Sequence, residues 1–182
     1  MVLSLGSMTL DEYSDNYVLT HSTSHVEYLE SSYQHFLRTN KDLPSLVKAI
    51  HVYTKDWKKA QRYAELILVS AKNKNLDPWL VFAVISKESS FDNNAKSYVG
   101  AKGLMQVMPF WKDEIGEPND DLYDPQISIQ YGTKILRLYL DQYKSTNAAL
   151  AAYNGTKGSM KYPLAVFKKM KHGKKSASIN TI

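Results

Sequence analysis

Glu88 closes an apolar run, Trp79 to Ile85, and is followed by Ser89-Ser90-Phe91 and then by Gly103-Leu104-Met105-Gln106. Val81, Val84, Ile85 and Glu88 fall three or four residues apart, which on a helix places the carboxylate on the face that packs inward. Burial disfavours the anion, and the C-terminal end of a helix presents partial negative charge that disfavours it further. Both effects push the pKa upward, towards a group still protonated near neutral pH. Such a carboxyl suits a general acid, for instance one that protonates a departing glycosidic oxygen. A structural carboxylate held by a partner is the alternative that the spacing leaves open.

The elements that must position Glu88 read as helices. Asp77 offers an N-cap with Pro78 at the first helical position, where a missing N–H costs nothing, and this fixes the start of the helix that carries Glu88. Ser24 to Leu37 recurs near helical spacing, Leu46 to Tyr53 predicts a brief helix, and Asp56 caps a longer one with Ala60, Tyr63, Ala64, Ile67 and Leu68 on one face. Residues 91–102 read as a polar loop, and Gly103 to Met108 as a short apolar piece stopped by Pro109. Asp124-Pro125 starts a helix with Ile127, Tyr131, Ile135 and Leu138 in a stripe. Ser145 or Thr146 caps a small helix through Ala152, with Asn154-Gly155 as its left-handed exit. A last helix is expected from Tyr162 through Met170, leaving a Lys-rich tail, while residues 1–22 predict a loose segment. No alternating Val/Ile/Thr-rich segment competes, so the fold class is mostly or all α.

A chain of 182 residues, 43% hydrophobic, is sized for one main domain. The division expected is 1–54 as a partly helical N-terminal extension of unknown role and 55–182 as the main domain with its basic tail. With no Cys there is no disulfide framework and no thiolate chemistry. The longest apolar run is far shorter than the roughly 20 residues a transmembrane helix needs, and residues 1–10 lack the basic and apolar parts of a secretory signal. His21 and His25 stand at i, i+4 spacing with no third ligand near, so no metal and no cofactor are expected. Residues 1–37 hold five acids and no Lys or Arg, so the remainder of a chain at +5 carries +10. No acid follows Asp141, whereas Lys157, Lys161, Lys168, Lys169, Lys171, Lys174 and Lys175 do. That field favours an anionic partner, with a solvated tail as the plainer reading. Nucleic acid is not expected, because no aromatic-basic motif accompanies the lysines.

Three ordered segments resemble the motifs of soluble lytic transglycosylases: Glu88-Ser89-Ser90-Phe91; Ser97 with Gly100-Ala101-Lys102-Gly103-Leu104-Met105-Gln106-Val107-Met108-Pro109; and Ala152-Tyr153-Asn154-Gly155. The likeness covers about residues 58–170, including Leu122-Tyr123-Asp124-Pro125 and Tyr131-Gly132. It implies a peptidoglycan-cleaving enzyme of glycoside hydrolase family 23 with an α-helical, lysozyme-like fold, a substrate cleft and a short helical N-terminal extension. By the same resemblance Glu88 is the catalytic acid and then base, Ser97, Gln106, Met108, Tyr153 and Asn154 line the glycan cleft, and Ser89, Phe91, Gly103 and Tyr162 support it. In physical terms Gly103 permits close backbone approach, Gln106 offers an amide to sugar hydroxyls or N-acetyl groups, and Met108 gives an adaptable apolar contact. Tyr153 could hydrogen-bond Glu88 or stabilise positive charge at the anomeric carbon. Leu104 and Met105 also read as core residues, and Ser89 or Ser90 as the end of a helix.

Most glycosidases use two carboxylates, and here a second is hard to find. Asp92 lies outside the matched motif, and Asp113 and Glu114 fall beyond Pro109. Goose-type lysozymes, related to the resembled family, carry acids at places that correspond here to Ser97 and Met108. The expectation is therefore cleavage without water, in which the muramyl C6 hydroxyl closes a 1,6-anhydro ring; a goose-type-lysozyme-like hydrolase and a non-catalytic wall-binding module are the alternatives. The partners expected are peptidoglycan strands and, through the basic tail, anionic envelope polymers. A monomer is expected, in the bacterial periplasm or cell envelope, or else delivered by a phage or a secretion system. After Tyr153-Asn154 the chain continues Gly155-Thr156-Lys157-Gly158 where many such enzymes have Ala-Gly-Pro-Gly.

Overall fold

A computed structural model describes residue 27 and residues 30–179. The loose segment expected over residues 1–22, the start of the helix expected from Ser24, and the His21/His25 pair lie outside the described residues. The chain divides between Asn40 and Lys41 into two units. In the first, residues 30–39 are helical (α1), with Thr39 Oγ1 donating to the His35 carbonyl at 2.9 Å.

The second unit holds α2 (Leu43–Thr54), α3 (Trp57–Asn73), α4 (Pro78–Glu88), α5 (Trp111–Ile115), α6 (Pro125–Tyr143), α7 (Thr146–Tyr153) and α8 (Lys161–Ile179). Four of its helix starts follow side-chain capping. Asp56 accepts from Lys59 N, Asp77 from Trp79 N, Asp124 from the amides of Gln126 and Ile127, and Ser145 from Ala148 N. Pro78 and Pro125 sit in first turns, where they sacrifice no helical bond. α2, which the sequence division assigned to the extension, packs on α3 and α8 within this unit.

α4 is the centre of the core. Every residue from Trp79 through Ser86 is buried, so the helix has no polar face, and the one-sided stripe expected from the sequence is apolar all round. α8 packs along it, while α6 packs on α7 and α3. Phe82 meets the rings of Tyr53, Trp79 and Phe91 at centroid distances of 6.2, 5.5 and 5.3 Å. These edge and tilted contacts favour aromatic packing.

Two elements differ from the sequence expectation. The single turn α5 was not foreseen, being too short to show periodicity. α8 does not stop at Met170 but continues to Ile179, so the Lys-rich segment is helix and not tail. The reason lies at Gly173: a Cβ there would fall 2.3 Å from Phe82 Cε1, and only its absence lets α8 lie against α4. Ala177, one turn on, is likewise buried. No strand occurs among the described residues, and no described helix is long and apolar enough to cross a membrane.

Candidate active site

Glu88 is the last residue of α4. Ser90 and Phe91 follow in left-handed conformation, φ 53° and 66°, which is costly for a phenylalanine and is held here by its ring cluster. The sharp turn brings Ser89 onto the next segment. Its Oγ donates to the Leu104 carbonyl at 2.8 Å and accepts from Phe91 N at 3.2 Å. Ser89 and Phe91 thus act as fasteners at the end of the helix that presents Glu88.

Residues 95–108 are more ordered than a polar loop followed by an apolar piece. Lys102 and Val107 exchange both backbone bonds, Gly103 N donates to Ala95 O, and Ser97 N donates to Ala101 O. Gly103 adopts φ +73°, and a Cβ there would lie 2.0 Å from the Leu122 carbonyl oxygen. The close approach expected of this glycine is to the chain's own backbone. Met105 is clamped from both sides: its N–H donates to Ser128 Oγ at 3.2 Å, and its carbonyl accepts from Tyr153 Oη at 2.8 Å. Leu104 and Met105 are fully buried core residues.

The carboxyl of Glu88 accepts a hydrogen bond from Tyr162 Oη, on the first turn of α8. Burial pushes the Glu88 carboxyl above the ordinary carboxylate range, partly offset by the Tyr162 hydrogen bond and by the adjacent Lys87 ammonium. Burial also drives the Tyr162 and Tyr153 hydroxyls far above a normal phenol, and the charge of Glu88 adds to both shifts. Both phenols therefore stay protonated at neutral pH. Tyr153 feels Glu88 electrostatically, but its hydroxyl is donated to Met105; the hydrogen bond foreseen for Tyr153 comes from Tyr162. Tyr162 was expected as a supporting residue from the family resemblance, although spacing alone does not separate it from the other apolar-face residues of α8. Ser128, which anchors Met105, was not foreseen.

The remaining expected residues lie on the 95–108 turn and just beyond α7. Ser97 is half-buried, and its Oγ accepts from Ala101 N at 3.0 Å. Gln106 donates its amide N–H groups to the carbonyls of Ala95 and Gly103, at 3.1 and 3.0 Å, so its carbonyl oxygen is what it can offer a ligand. Met108 is half-buried at the end of the same turn. Asn154 is exposed beyond α7 with φ −83°, and the left-handed residue of that exit is Gly155, φ +72°. Asp92 is exposed and caps its own turn through Asn94 N. The group that holds Glu88 is a phenol, and the charge that acts on it is a lysine.

A family model described as Transglycosylase SLT domain matches residues 65–176, a span containing Glu88, the 95–108 turn, Tyr153 and Tyr162. The chain belongs to this family. The SLT domain is 43% identical over 96 residues to the transglycosylase of Enterobacteria phage PRD1, covering 53% of this chain and 36% of that protein. It is 33% identical over 119 residues to membrane-bound lytic murein transglycosylase C of Glaesserella parasuis, covering 56% of this chain and 33% of the relative. A solved structure of the lytic transglycosylase Slt from Pseudomonas aeruginosa aligns at 22% identity and a TM-score of 0.47, over 88% of this chain and 32% of that one. The chain thus spans about a third of the length of the curated relatives it matches. α2 precedes the matched SLT span, although it packs within the same unit.

Proposed function

We propose that this SLT domain is a peptidoglycan lytic transglycosylase that cleaves the β-1,4 bond between N-acetylmuramic acid and N-acetylglucosamine, with Glu88 as acid and then base. The observation that carries this reading is the state of Glu88: a carboxyl raised by burial, hydrogen-bonded by a neutral phenol, at the end of a rigid helix. In the proposed cycle Glu88 is protonated when substrate arrives, the form that burial favours. It gives its proton to the bridging oxygen as the C1–O bond breaks, and the substrate's N-acetyl group stabilises the cation that develops. Glu88, now an anion, is held by Tyr162 and accepts the proton of the muramyl C6 hydroxyl as that oxygen bonds C1. The ring closes to the 1,6-anhydro product, Glu88 is protonated again and no water is consumed.

The positions Ser97 and Met108 carry no carboxyl, so neither can activate a water as an acid residue there would. This supports ring closure over hydrolysis. Ser97, Gln106, Met108, Tyr153 and Asn154 are assigned to the glycan cleft, Gln106 through its carbonyl oxygen and Tyr153 through its ring. The Ser89, Phe91 and Gly103 contacts keep the cleft segment in register with Glu88.

The test is Glu88→Gln with product analysis. The variant keeps the shape and the Tyr162 bond but has no transferable proton, so turnover should fall by at least 10²-fold, the lower range of general acid contributions, while glycan binding persists. Mass spectra of wild-type digests should show anhydro-muramyl ends. Reducing muramyl ends would instead identify a lysozyme, and undiminished lysis by the variant would remove Glu88 from the mechanism.

A further inference from the structure

α8 sorts its lysines by face. Lys169 lies over the Tyr53 ring at 5.5 Å, and Lys174 lies over Trp79 at 5.9 Å with its Nζ 3.7 Å from an Asp77 oxygen. These two reach back onto the body of the domain. Lys168, Lys171, His172 and Lys175 line, together with Lys87, Ala165 and Lys169, which borders both surfaces, a groove of about 540 Å³. Among the described residues no acid lines it, and the one ring that does is the imidazole of His172. Like charges three and four residues apart on a helix repel one another, and here the aliphatic stems of these lysines wall the groove with no acid among its described lining. This clustering of like charge leaves a positive field that an anion would relieve.

The groove's position narrows the anion. Lys87 precedes Glu88 directly, and Ala165 lies one helical turn beyond Tyr162, whose hydroxyl holds the Glu88 carboxyl. From Ala165 to Lys175 the helix rises about 15 Å. An extended peptide of four or five residues covers the same length. Muramyl residues carry short peptides with free carboxylates, and a strand seated at Glu88 would bring one of these to the mouth of the groove. Ammonium groups act as point charges and suit scattered carboxylates. With His172 as the one ring among the described lining residues, the groove has no row of aromatic platforms on which successive bases of a single-stranded nucleic acid would stack.

We propose that the groove between Lys87 and the Lys168, Lys171, Lys175 face of α8 receives the acidic peptide borne by the muramyl residue at the cleavage site. The proposal rests on the lytic transglycosylase reading above and adds a preference for peptide-substituted strands.

The test combines Lys168→Gln, Lys171→Gln and Lys175→Gln, leaving Lys87 intact because it acts on Glu88. A control carries Lys58→Gln, Lys144→Gln and Lys157→Gln, which remove the same charge elsewhere on the surface. Steady-state kinetics are measured on soluble glycan fragments bearing peptides and on the same fragments after an amidase has stripped them. For three exposed charge contacts, KM on peptide-bearing fragments should rise roughly tenfold with kcat unchanged. Stripped fragments should show no change, and the control should match wild type on both. Equal effects on the two substrates, or none, would overturn the proposal. So would a variant that loses binding to poly(glycerol phosphate) while its KM for peptide-bearing fragments is unmoved, since the occupant would then be a phosphodiester polymer. If the wild type yields no anhydro product from either substrate, the catalytic reading fails instead. Calorimetric binding of both fragments to Glu88→Gln, with and without the three groove substitutions, still decides the groove.

Discussion

Tyr162 and burial pull Glu88 in opposite directions, and the balance sets how the same carboxyl can serve first as acid and then as base. Burial favours the protonated form, whereas the hydroxyl of Tyr162 favours the anion. Tyr162→Phe removes only the second influence. The Glu88 carboxyl should then titrate at higher pH, and the basic limb of the kcat/KM profile, which reports loss of the protonated acid in the free enzyme, should move to higher pH with it. Turnover should fall roughly tenfold, because a hydrogen bond to a charged group is worth about 1.5–3 kcal/mol and the anion formed in the second half-reaction loses it. A basic limb that stays in place or moves to lower pH would show that Tyr162 does not govern Glu88. Tyr153→Phe makes an informative contrast: its hydroxyl is spent on the Met105 carbonyl, so its loss should loosen the 95–108 turn without a comparable shift of that limb.

At the scale of the elements, helix starts were legible and tertiary approaches were not. Asp56, Asp77-Pro78, Asp124-Pro125 and Ser145 name their helices because capping is local chemistry written within three residues. Glu88 was legible for the same reason, as a carboxyl ending a buried run. The Tyr162–Glu88 bond joins residues 74 apart in the chain; the family resemblance names Tyr162 as a supporting residue, but nothing local marks it as the one that reaches Glu88. The end of α8 was missed because its polar residues suggest solvent, whereas two small residues, Gly173 and Ala177, decide the packing. Gly173 gives this argument a sign. Glycine to alanine in a helix interior ordinarily gains about 1 kcal/mol. Here the new Cβ would fall 2.3 Å from Cε1 of the fully buried Phe82 ring. Gly173→Ala should therefore destabilise by about 1–3 kcal/mol, the usual cost of overpacking. Urea denaturation would read it directly, and an increase in stability would mean that α8 does not lie against α4 as described.

Over the whole molecule, the site is a junction of α4, the 95–108 turn, α7 and α8, so the far end of α8 bears on Glu88 although it touches nothing reactive. Ten residues of helix, 161–170, would be marginal alone; what holds α8 is its contact with α4 and α2. Deleting residues 171–182 tests whether the Lys-rich segment is part of that frame or an appended tail. The deletion removes buried Gly173 and Ala177, the Lys174 contact with Trp79 and the exposed Lys174–Asp77 pair. The ion pair contributes little, being half solvated. Losing the buried contacts should cost about 2 kcal/mol, which for a domain of this size lowers the thermal midpoint by roughly 4–8 °C. Because Tyr162 is carried on the same helix, the shortened chain should also show the upward displacement of the basic limb expected of Tyr162→Phe, in weaker form. A midpoint within 1 °C of the full chain and an unaltered pH profile would mean that residues beyond Met170 are the solvated tail their composition suggests, and that the frame around Glu88 ends one turn after Val166.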